Sequence, residues 1–181
     1  MNNLFDVFII GGGINGCGVA RDAAGRDYSV YLAEKSDIAS GTSSASSKLI
    51  HGGLRYLENY EFSFVRSSLR ERDILINIAP HIIKEMRFIL PYHKNLRPVW
   101  LLKMGMLLYD NLYSSKHIKR SSYIKIPFHE SKSTLTEAFN KGFEYSDCIT
   151  DDARLTVLNA ADAKRLGGDI NTRTIVKNIE Q

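Results

Sequence analysis

A four-residue apolar run, Val7-Phe8-Ile9-Ile10, passes directly into three glycines, Gly11-Gly12-Gly13, and no other feature restricts the fold as tightly. A β-prone run without a polar residue reads as a strand covered on both faces in a parallel sheet. The glycines allow a turn that other residues would make only under strain. Beyond them Ile14, Cys17, Val19, Ala20, Ala23 and Ala24 recur at helical spacing, which predicts a helix with Gly25 as its left-handed cap. A second strand, Ser29 to Ala33, ends in Glu34. Strand, turn, helix and strand within about thirty residues is the size of a parallel crossover. The fold class is α/β, Rossmann-like, with a parallel sheet.

Gly11-Gly12-Gly13-Ile14-Asn15-Gly16 fits the pattern G-x-G-x-x-G. Gly11 would make the tight turn, Gly13 the close approach to a pyrophosphate, and Gly16 the packing of helix on strand. The helix opening at Ile14 points amides and the positive end of its dipole toward such an anion. Glu34 stands where an acid would accept hydrogen bonds from a ribose, and its charge would repel the extra phosphate of NADP. FAD and NAD both remain open on this pattern.

Farther along, Ser40 to Ser47 has the composition of a flexible loop. A helix is expected over 61–79, with Val65, Leu69, Arg72, Leu75 or Ile76 and Ala79 on one face and Pro80 closing it. Another is expected over 98–112, its Trp100, Leu101, Leu102, Met104, Met106, Leu107 and Leu108 forming a packing face. Residues 114–135, polar and basic with Pro127, read as irregular connection. Thr150 or Asp151 would cap a helix carrying Leu155, Leu158, Ala161 and Leu166, ended by Gly167-Gly168, and 170–179 alternates like a strand.

The net charge of +4 is spread among nearly as many acids as bases, which argues against nucleic acid as a partner. Cys17 and Cys148 are in no metal or redox spacing and read as buried thiols of a reducing compartment, with no metal site expected. The start lacks the pattern of an export signal, and no apolar stretch approaches the roughly 20 residues of a membrane span. The chain reads as cytoplasmic.

The segment Thr42-Ser43-Ser44-Ala45-Ser46-Ser47-Lys48-Leu49-Ile50-His51-Gly52-Gly53-Leu54-Arg55-Tyr56-Leu57-Glu58, taken with Ile9 to Gly16, closely resembles the FAD-dependent glycerol-3-phosphate dehydrogenases. The likeness continues through Met86-Arg87-Phe88, Leu96 to Trp100, Gly142 to Cys148 and Asp151 to Leu155. It implies FAD as cofactor and oxidation of sn-glycerol 3-phosphate to dihydroxyacetone phosphate. It further implies electron transfer to quinone, with peripheral contact on the cytoplasmic face of the inner membrane. A flavin oxidase using oxygen and a non-catalytic nucleotide-binding remnant are the competing readings.

By the same resemblance Thr42, Ser43, Ser44, Ser47 and Lys48 supply donors to the pyrophosphate and flavin, and Gly52-Gly53 let backbone pass near the ring. His51 is the candidate base, while Arg55 offers a planar fork and Tyr56 a hydroxyl to the substrate. Asp151-Asp152 reads as helix capping. The implied organisation is a dinucleotide-binding unit with its flavin loop over 1–60, then a helical insertion and return to the sheet over 61–181. The rest of a considerably longer chain is missing from this sequence, so the sheet is expected to be incomplete at its C-terminal end and the chain inactive by itself.

Overall fold

The computed structural model describes residues 4–126, 135 and 139–180. In chain order the elements are β1 (Val7–Ile10), α1 (Ile14–Ala24), β2 (Val30–Ala33), β3 (Leu49–Ile50), α2 (Phe62–Ile78) and β4 (Ile83–Pro91). They continue with α3 (Val99–Leu112), β5 (Ser122–Ile124), β6 (Gly142–Thr150), α4 (Asp152–Arg165) and β7 (Asp169–Asn171). The chain divides into two compact units, one of residues 1–48 and 150–181, the other of 49–149.

The first unit is a parallel sheet in the order β1-β2-β7, with Val7 opposite Val30 and Leu32 opposite Ile170. Its core is Ile9, Val30 and Leu32 from the sheet, Cys17, Ala20, Ala23 and Ala24 from α1, and Ala160 and Ala163 from α4. Small side chains on both helices let the axes approach closely. That explains why α4 buries Thr156, Ala160 and Ala163 and leaves the expected face, with Leu158 and Leu166, exposed. A leucine facing the alanines of α1 would push the helices apart.

Only one face of β1 is covered among the described residues. Ile9 is buried, whereas Phe8 and Ile10 are 54% and 57% exposed, so the expectation of cover on both faces does not hold. Phe8 instead stacks on Tyr31 at 5.1 Å, with Phe5 tilted against the same ring. Gly25 stays right-handed at φ −69°, and the left-handed residue is Asp27 at φ 65°, a type that tolerates this region. The last strand is only Asp169–Asn171, shorter than the alternation over 170–179 implies, and Ile175 and Ile179 are exposed.

The second unit is built on a four-stranded sheet that the sequence patterns did not announce. β6 lies between β3 and β4 and also pairs with β5, its pairings with β3 and β5 being antiparallel. Alternation in β4 and β6 is masked because buried and half-buried positions carry charges that pair with one another. Arg87 bridges Glu144 at 2.6 Å and donates to Ser146 Oγ, whose hydroxyl donates to Glu85.

Helix α2 buries Val65, Leu69 and Arg72, the expected face, and Ala79 follows it, also buried. Helix α3 departs from expectation: Met106 and Tyr109 are buried, but Trp100 and Leu107 are 63% and 62% exposed. It is apolar nearly all round, and one stripe alone meets the rest of the unit. Pro127 and most of the 127–138 stretch lie outside the described residues. No helix among the described residues is long and apolar enough to cross a membrane.

Candidate functional site

Gly11 adopts φ +108°, a conformation L side chains rarely enter, and its amide ties the turn to Ala33 O at 2.9 Å. A Cβ on Gly16 would strike the Gly11 carbonyl oxygen, so the start of α1 can lie this close to the turn only without a side chain there. Gly13 faces Ser43, whose Oγ would be 3.2 Å from an added Cβ. Gly12, a variable position in the pattern, is also hemmed in, though by side chains: a Cβ on it would be 2.7 Å from Ile38 Cδ1 and 3.0 Å from Glu34 Cβ. Its tightness comes from residues 34–38 and has no signal in the glycine spacing.

The buried Glu34 carboxylate accepts the Gly12 amide at 2.6 Å on one oxygen and the Ser36 amide at 2.7 Å on the other. These two bonds, the Gly12 one foremost, hold its carboxyl below the usual carboxylate range. Each oxygen keeps a second lone pair, so the charged group can fix the glycine turn and still accept a hydroxyl.

The serine segment is an ordered structure and no flexible loop. Thr42–Ser44 forms a 3-10 turn, and Ser44 Oγ donates to Gly41 O at 3.2 Å. Ser43 Oγ accepts the Ile14 amide at 2.9 Å, at the first turn of α1, while Asn15 beside it is exposed. Thr42 and Ser47 are exposed. Lys48, left-handed at φ 59°, places Nζ 2.5 Å from Asp152 Oδ1. Ser46 donates its amide and hydroxyl to Asp152 Oδ2 at 3.1 and 2.7 Å.

Ser46 and Asp152 lie outside the site residues that the sequence points to. Both acids serve the first turn of α4, Asp151 accepting the Arg154 amide at 2.9 Å and Asp152 the Ala153 amide at 2.8 Å, and the Lys48 ammonium and then Ser46 draw the Asp152 carboxyl far below its ordinary value.

In the second unit, His51 is exposed and Gly52 is buried. A Cβ on Gly52 would run into Leu69 and Tyr109, so its smallness serves packing within this unit. Gly53, at φ +73°, opens a 3-10 helix over Leu54–Asn59 that carries Arg55 and Tyr56 at the surface. Tyr56 meets Phe64 edge to face at 5.0 Å. Within the unit Asp147 Oδ1 gathers Arg72 NH1 at 2.6 Å, the Gly52 amide at 3.2 Å and Tyr109 OH at 3.3 Å. Burial, and next the Asp147 charge, raise the Tyr109 hydroxyl far above its normal range, so it remains a donor. Cys17 and Cys148 are free and buried, and burial pushes both thiols up to about 11.

A glycine turn at the start of a helix, with a charged acceptor at the ends of parallel strands, fits a dinucleotide, without separating FAD from NAD. Comparison with known proteins separates them. Residues 6–181 match the family model described as FAD dependent oxidoreductase. The chain is 56% identical over 171 residues to a glycerol-3-phosphate dehydrogenase of Pseudomonas tolaasii, covering 94% of this chain and 33% of that protein. It is 54% identical to the D-erythritol 1-phosphate dehydrogenase of Brucella abortus strain 2308, covering 94% and 34%.

Among solved structures, the glycerol-3-phosphate dehydrogenase from Bacillus halodurans complexed with FAD is 28% identical with a TM-score of 0.64, covering 99% of this chain and 28% of that one. The chain thus spans about a third of the length of the curated relatives it matches. It belongs to the FAD dependent oxidoreductase family, with FAD as its cofactor.

Proposed function

We propose that this chain supplies the FAD-holding part of a dehydrogenase that oxidises sn-glycerol 3-phosphate to dihydroxyacetone phosphate and passes the electrons to quinone at the membrane surface. The observation that carries the reading is the 56% identity over 171 residues to a glycerol-3-phosphate dehydrogenase. Gly11, Gly13, Ile14, Asn15, Gly16 and Glu34 hold the ADP half. Thr42, Ser43, Ser44, Ser47, Lys48, Gly52 and Gly53 line the rest of the cofactor.

Bound FAD supplies the hydride acceptor. His51 takes the hydroxyl proton, Arg55 engages the substrate phosphate through its planar fork, and Tyr56 offers a hydroxyl beside it. The exposed Arg55 and Tyr56, raised on a short 3-10 helix behind a left-handed glycine, support this assignment. A D-erythritol 1-phosphate reading has nearly equal support at 54% identity, so the shared class is a polyol phosphate.

The test joins this chain to the remaining two thirds of its Pseudomonas tolaasii relative. The product should purify yellow with releasable FAD, reduce a quinone analogue with glycerol 3-phosphate, and form little peroxide. Peroxide as the main product would make it an oxidase, and preference for erythritol 1-phosphate would transfer the substrate assignment. Gly13→Val should empty the protein of flavin. Arg55→Lys should lower kcat/KM roughly tenfold or more while leaving bound flavin unchanged. Unaltered kinetics would return Arg55 to the surface.

A further inference from the structure

We propose that Asp152 is the positioning residue of the serine segment, clamping Ser46 and Lys48 so that the Ser43 hydroxyl stays at the first turn of α1 and is free to donate to the FAD pyrophosphate. The inference rests on FAD occupying the glycine turn, and deepens that reading by naming what holds the loop in place.

The clamp engages both oxygens of one carboxylate. Oδ2 accepts the Ser46 amide and hydroxyl, and Oδ1 accepts Lys48 Nζ together with the Ala153 amide of α4. Ser46 Oγ in turn accepts the Lys48 amide at 2.9 Å, and Lys48 O accepts the Thr150 amide at 2.9 Å, so residues 46–48 are fixed at both ends. Lys48 Nζ also reaches Ser44 O at 3.4 Å, which extends the tie into the 3-10 turn that carries Ser43. Capping accounts for only part of Asp152: its Oδ1 accepts the Ala153 amide at 2.8 Å in the first turn of α4, while its Oδ2 serves Ser46, 106 residues away in the chain.

What the clamp positions is a hydroxyl with one hydrogen to give. Ser43 Oγ accepts the Ile14 amide, and a hydroxyl that accepts at the positive end of a helix becomes a stronger donor. The Lys48 ammonium pairs with Asp152 and stays half exposed, and Ser43 meets the anion as a neutral donor. Serines at 43 and 46 thus have different tasks, the first toward the cofactor and the second toward the clamp.

The experiment compares Asp152→Asn with Asp151→Ala, in the 181-residue chain and in the chain continued by two thirds of its relative. Without FAD, amide exchange at Ile14, Ser46 and Lys48 should quicken roughly tenfold or more in Asp152→Asn and stay unchanged in Asp151→Ala. With FAD, Asp152→Asn should raise Kd roughly tenfold. Lys48→Met should cost less in the Asp152→Asn background than alone, since the two share one clamp.

An FAD affinity within twofold of the unsubstituted protein, or an Ile14 amide that exchanges at its original rate, overturns the proposal. An unsubstituted protein that takes up no FAD would fault the cofactor reading instead, and Ile14 exchange would still decide whether Asp152 positions Ser43.

Discussion

The two units solve the burial problem in opposite ways. The unit of 1–48 and 150–181 packs almost nothing but small and aliphatic side chains between its sheet and helices, and puts its polar bonds at the glycine turn and serine segment. The unit of 49–149 buries an arginine, an aspartate and a tyrosine together, with Arg72 Nε left without a partner among the described residues. The first unit should tolerate loss of a polar bond and reject added volume. The second should be the more sensitive to loss of a polar bond, because a buried charge deprived of its partner keeps its full desolvation cost.

The sharpest way to break that comparison is Asp147→Ala, which strands Arg72 and should cost about 3–5 kcal/mol in urea unfolding. Replacing both, as Arg72→Met with Asp147→Leu, should recover most of the loss. A double variant as unstable as the single one would show that the pair matters for more than its charges.

In the first unit the largest effect should come from Gly16→Ala, whose Cβ meets backbone that cannot yield. A cost at the upper end of the roughly 1–3 kcal/mol of overpacking, with loss of FAD uptake, is expected. Ala20→Leu on the α1–α4 face should fall in the same range, whereas Leu69→Ala in the second unit should cost about 2–5 kcal/mol through its cavity.

A pH titration should separate the units more gently. Glu34 has a folded pKa below its ordinary 4.5, so the stability it contributes is complete above about 4.5 and disappears as pH falls through the lower, folded value. Glu34→Gln should therefore flatten the acid limb of unfolding for the first unit; an unchanged limb would remove Glu34 from the account. The smallest effect is Leu158→Gln on the exposed face of α4, within about 0.5 kcal/mol in the 181-residue chain.

The sequence by itself determined the strand, glycine turn, helix, strand and acid of the first unit, because those depend on neighbours a few residues away. Gly11 had to turn, Ile14 to Ala24 had to wind, and Glu34 had to follow the second strand. The faces of α2 and the cap at Asp151 were legible for the same reason.

Tertiary structure alone decided which partners those elements met. Ser46 and Asp152 are 106 residues apart, Arg72 and Asp147 75, and no local period encodes such a pairing. The four-stranded sheet was hidden because its buried polar residues pair across strands and blur the alternation that marks a half-covered strand. The leucines of α4 misled because hydrophobicity ranks them above alanine, whereas the alanines of α1 require a small partner for close approach. Local chemistry specifies the turn and the helix; volume and charge complementarity, which exist only once distant segments meet, specify what they hold.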